Sequence, residues 1–132
     1  MDSLNESNLV AYYGFVKGII AVWTYVLRML AADAFRALAD PTRRAVFERL
    51  SGGEMTVSEL KAGFAVSQPA ISQHLAALKG AGLVAERREG RCAFYRIEPV
   101  GLGPLVDWID RYRAFWPERI EKLKDVLKDM QP

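Results

Sequence analysis

A chain of 132 residues, 51% of them hydrophobic, supports one modest domain with ample apolar material for a core. A net charge of +2 is too small to mark a nucleic-acid binder by composition. One cysteine (Cys92) and one histidine (His74) exclude an intramolecular disulfide and a Cys/His zinc site built within one chain.

Charge is distributed unevenly. Residues 40–97 carry nine basic side chains (Arg43, Arg44, Arg49, Lys61, Lys79, Arg87, Arg88, Arg91, Arg96) against six acidic ones. The N-terminal part is balanced, and the part after Ile97 is slightly acidic. The positive surplus therefore sits in the middle of the chain.

Leu9–Leu27, LVAYYGFVKGIIAVWTYVL, is an apolar run interrupted only by Lys17. It reaches the length of a membrane span, about 20 residues. The acidic leader (Asp2, Glu6) fits a secretory signal poorly. Gly14, Lys17, Gly18, Ala21, Thr24 and Arg28 recur at helical spacing and form one small-or-polar stripe. This pattern predicts a helix packed on a partner subunit, with Ile19, Val22 and Trp23 at the contact. A bilayer span is the alternative.

A helix through Ala34–Leu38 is predicted to end at Asp40-Pro41, where Asp40 caps the next helix and Pro41 takes its first position. That second helix runs to about Leu50. It turns Ala45, Val46, Phe47 and Leu50 inward and leaves Arg43, Arg44 and Arg49 outside. Gly52-Gly53 stops it. Thr56-Val57-Ser58-Glu59 has the form of a capping box opening a short helix that closes at Gly63.

Ser67 caps a further helix with Ile71, Leu75 and Leu78 on one face. Gln73 lies opposite, flanked by Pro69, Ser72 and Ala76. Such a face is polar, uncharged and built of small side chains. It suits a DNA groove, where bulk blocks approach and carboxylates repel phosphate. Two short helices with a tight turn between them form a helix-turn-helix. Ser67, Gln68, Ser72 and Gln73 are the candidate groove contacts. His74 falls at the edge of the buried face, as a packed side chain or a phosphate contact.

Gly80 and Gly82 end the helix, and VAERREGRCAFYRI (84–97) reads as a β-hairpin turning at Glu89-Gly90. Val84, Ala93, Tyr95 and Ile97 supply its inner surface. Arg87, Arg88 and Arg91 cluster near the tip as candidate phosphate or minor-groove contacts, joined by Arg43 and Arg44 from the second helix. From Pro99 on, apolar residues recur at three and four, with Pro117 set to kink or restart the helix. Leu105, Ile109, Tyr112 and Trp116 are expected at a twofold subunit interface, with packing against the protomer's own Leu9–Leu27 helix as the alternative or an addition. The expected fold is mainly α with a β-hairpin wing. It divides into an apolar helical extension (1–32), a winged helix-turn-helix domain (33–98) and a C-terminal dimerisation helix (99–132).

The motifs LADPTRR, SQPAISQHLAALKGAGLV, and REGR followed by FYRI make residues 33–125 resemble the ArsR/SmtB family of bacterial winged-helix repressors. The resemblance implies a cytoplasmic homodimer that binds a palindromic operator in double-stranded DNA and is released by an inducer. Metal-sensing members carry a Cys-Val-Cys-Asp-Leu box where this chain has Thr56-Val57-Ser58-Glu59-Leu60, and the last helix here has no histidine. The chain therefore resembles the branch that does not sense metal, with no cofactor expected. A membrane-tethered regulator and a winged helix serving protein contact are the competing readings. No nucleophile–base pair, phosphate loop or metal cluster is legible, so no enzyme is expected.

Overall fold

The computed structural model describes residues 5–130. Helix α1 runs unbroken over Glu6–Ala39, capped by Asn5, whose side chain accepts the Ser7 N–H at 2.6 Å. The division expected at residue 32 thus falls inside one helix. What changes there is packing. Ala31, Ala34 and Ala37 are buried at helical spacing, whereas Tyr12, Phe15, Val22 and Trp23 are exposed. Asp40 closes α1 and caps α2 (Pro41–Arg49) through the Arg43 N–H at 2.9 Å.

The core forms where α1, α2, α3 (Val57–Lys61) and α4 (Gln68–Gly80) meet. Val46, Leu60, Ile71, Leu75, Leu78 and Leu83 are wholly buried in it. Thr56 accepts the Glu59 N–H at 3.2 Å, while the reciprocal bond of a capping box does not form among the described residues. Ser67 caps α4 by accepting the Ala70 N–H at 3.3 Å.

Strands β2 (Val84–Glu89) and β3 (Cys92–Ile97) form the expected hairpin, joined by the Gly90-Arg91 turn. The expected Glu89-Gly90 turn is thus displaced by one residue. Glu89 still pairs with Cys92, and Gly90 takes the positive φ of 60° that the first loop position of a type II′ turn needs. A third strand, β1 (Met55–Thr56), adds to β3, giving an antiparallel sheet in the order β1-β3-β2. Two residues are too short to show alternation, so the sequence pattern could not announce it.

The C-terminal region is two helices and not one. Pro99–Leu102 is a 3-10 turn, α5 covers Gly103–Tyr112, and a second 3-10 turn covers Arg113–Phe115. Helix α6 (Glu118–Asp129) restarts after Pro117. Helix α5 lies along the end of α1, where Phe35 meets Trp108 edge-to-face at 5.2 Å. Leu105 packs on the protomer's own core, while Ile109, Tyr112 and Trp116 remain exposed.

Candidate nucleic-acid interface

Three apolar residues orient α4. With Ile71, Leu75 and Leu78 fully buried, the opposite face must lie in solvent. Gln68, Ser72 and Gln73 are all exposed there. Among the described residues no side-chain hydrogen bond occupies Gln68, Ser72 or Gln73, so their donors and acceptors are uncommitted. Ser67 differs, because its oxygen already accepts the cap bond, which leaves the O–H donor and one lone pair. His74 is half-buried, with a buried Nδ1 that has no hydrogen-bond partner.

The arginines split into unlike environments. Arg44 is exposed and donates to the Leu38 carbonyl at 3.3 Å. Arg43, expected outside, is half-buried. It lines a crevice with Asp33, Arg36, Ala77 and Ala81, and its Nε is buried without a partner. The reason is local: Arg43 sits one turn past the Asp40 cap, on the side of α2 that faces α1 and α4.

On the wing, period two sends neighbouring arginines to opposite faces of the sheet. Arg88 shares a face with Glu86, which it meets at 3.0 Å, and with Tyr95, which packs on the core. Lys79 of α4 also binds Glu86, at 2.9 Å, so this is the face toward α4. The Lys79 ammonium, then Arg88, holds the Glu86 carboxyl below its ordinary range.

Arg87 occupies the other face. It binds Glu54 through Nε and Nη2, binds Glu89 through Nη1 at 2.8 Å, and stacks over Phe94 at 4.6 Å. The Arg87 hydrogen bonds push the Glu54 carboxyl down, and the two carboxylates push the guanidinium pKa up. Arg91 sits exposed in the turn with no carboxylate contact among the described residues. Sequence reasoning missed Glu54, Phe94 and the Lys79–Glu86 pair. Only Phe94, in a hairpin facing Arg87 by register, left any signal.

An uncharged helix face backed by a tight helix-turn-helix and flanked by a cationic wing defines a winged helix-turn-helix of the DNA-binding class. Residues 38–87 match a family model described as a helix-turn-helix domain. The chain is 48% identical over 79 residues to the HTH-type transcriptional regulator Rv2034 of Mycobacterium tuberculosis, covering 60% of this chain and 74% of that protein. It is 35% identical over 77 residues to the transcriptional repressor SdpR of Bacillus subtilis, covering 58% and 86%. A crystal structure of the ArsR family transcriptional regulator RHA00566 superposes with a TM-score of 0.61 at 35% identity, covering 67% of this chain and 92% of that one. The solution structure of a homodimeric winged helix-turn-helix domain from Mycobacterium bovis gives 0.55 at 31%, covering 67% and 84%. The chain belongs to the ArsR/SmtB family of transcriptional regulators.

Proposed function

We propose that this regulator is a homodimeric repressor that does not sense metal and works in the cytoplasm. Its two α4 helices enter successive major grooves of a palindromic operator until an inducer releases them. The observation that carries the reading is the uncommitted, uncharged face of α4 bearing Gln68, Ser72 and Gln73, set opposite a fully buried apolar face. Gln68 and Gln73 have the paired donor and acceptor that fit an adenine edge, and Ser67 and Ser72 fit bases or phosphate. Arg88 and Arg91 hold the backbone from the wing, and Arg44 does so from α2. Arg43 reaches phosphate only by leaving its crevice. Thr56 and Ser58 stand where metal-sensing members of the family carry thiols, which supports the metal-independent reading.

The test compares operator with random duplex. Gln73→Ala should narrow the difference by about 1–3 kcal/mol, the worth of one bidentate base contact. Arg88→Ala should weaken both duplexes alike and reduce the salt slope by about 1. Equal loss from Gln73→Ala on every sequence would contradict the groove assignment. One observation favours a membrane-tethered version: α1 holds an apolar stretch long enough to cross a bilayer, and nearly all of that stretch is exposed. Fractionation without detergent separates the two, since a tethered protein sediments with membranes.

A further inference from the structure

We propose that Arg87 is a positioning residue that fixes the wing against the rest of the sheet, and that it does not itself hold phosphate. The proposal rests on the DNA-binding reading and changes the part played by one of its arginines.

Register supplies the geometry. Arg87 on β2 pairs with Phe94 on β3, and Phe94 pairs with Thr56 on β1. Glu54 stands two residues before Thr56 and so belongs to the same face. The Arg87 side chain therefore starts on the outer strand, passes over the Phe94 ring of the central strand, and ends on a carboxylate at the entrance to β1. One side chain ties all three strands at a single level. Glu89 closes the same guanidinium from the tip side. A two-stranded ribbon alone is marginally stable, so a cross-sheet tie has a flexible element to restrain.

Charge argues against a phosphate contact. Arg96 lies on the same face and its charge also reaches Glu54, but it is paired with Glu98 at 3.6 Å. Three carboxylates against two guanidiniums leave this cluster with a formal excess of one negative charge. An incoming phosphate would meet Glu54 and Glu89 and would have to displace one of them. Arg88 faces the other way, toward the side where Lys79 of the reading helix is anchored, and it shares one carboxylate with that lysine. Only one of the two adjacent arginines thus lies on the face that α4 shares.

Full-length Arg87→Ala, Arg87→Lys and Glu54→Gln, with Arg88→Ala for comparison, are read in two ways. The first is hydrogen exchange of amides 84–97 without DNA. The second is salt-dependent binding to a labelled duplex, after circular dichroism has confirmed folding. A positioning role predicts faster wing exchange in Arg87→Ala and in Glu54→Gln, and duplex binding weaker by about two- to tenfold in both. The salt slope should stay at the wild-type value. Arg87→Lys, which lacks the planar fork, should rescue partially. Glu54→Gln is decisive, because removing a carboxylate beside a phosphate contact would tighten binding. Tighter binding of Glu54→Gln overturns the proposal, as does a slope reduced by about 0.9 in Arg87→Ala. Unchanged wing exchange in both variants overturns it too. A wild type that ignores every duplex at low salt, yet loses wing protection in these variants, would instead remove the DNA reading.

Discussion

At the scale of single residues, identity and role separate most clearly where neighbours share a type. Arg87 and Arg88 are indistinguishable in a string of letters, and a cluster of wing cations was legible. Which of them is neutralised was not, because Glu54 lies 33 positions from Arg87 in the chain. Gly101 makes the same point for sterics. A Cβ there would strike the Gly82 carbonyl, because the 3-10 turn leaving the wing crosses directly over the turn that enters it. Gly101→Ala should lower stability by about 1–3 kcal/mol, since backbone cannot yield as a side-chain tip can. Gly103→Ala, with open space around the added methyl, serves as the control. Thermal unfolding of both variants checks this, and equal midpoints would show that the crossing relaxes.

At the scale of elements, Asp40-Pro41, Thr56 and Ser67 placed three helix starts correctly, because caps act within a few residues. Ile71, Leu75 and Leu78 likewise fixed the buried face of α4 by local periodicity. What stayed hidden depends on distant partners: the short β1, the burial of Ala31, Ala34 and Ala37 on α1, and the inward turn of Leu105. The join between α4 and the wing spans only seven positions, from Lys79 to Glu86, but crosses from a helix to a strand, and it carries a pH signature. The folded-state pKa of Glu86 is depressed, first by the Lys79 hydrogen bond. Its stabilising effect is therefore present above the ordinary glutamate value of about 4.3 and fades as pH falls through the lower folded value. Wild type should be more stable than Glu86→Gln at neutral pH, and the gap should close in acid below that range. Denaturant melts across pH provide the measurement, and a gap that persists in strong acid would point to packing in place of charge.

At the scale of the whole molecule, one protomer leaves apolar surface that water should not cover. On α5 and the turn after it, Ile109 is 53% exposed, Tyr112 49% and Phe115 80%. On α6, Ile120, Leu123 and Leu127, with Met130 at its C-cap, recur at helical spacing and are exposed as well. Helix α1 adds Ile19, Val22 and Trp23, which line a shallow groove beside Phe15 and Gly18. A continuous apolar patch larger than a few hundred Å² ordinarily marks an interface. Twofold pairing would place equal patches against each other and space two α4 helices about one helical turn of DNA apart, roughly 34 Å. Affinity for a two-half-site operator then depends on the dimer, whereas affinity for one half-site does not. Ile109→Glu buries a charge in that contact while leaving the protomer core untouched. Sedimentation should show the variant shifting to monomer at concentrations where wild type is dimeric. Operator binding should fall by about a hundredfold or more, as expected when two linked contacts become independent. Binding to a single half-site should stay within about twofold, since the α4 face is unaltered. A variant that turns monomeric yet keeps full operator affinity would show that α4 reads DNA without its twin.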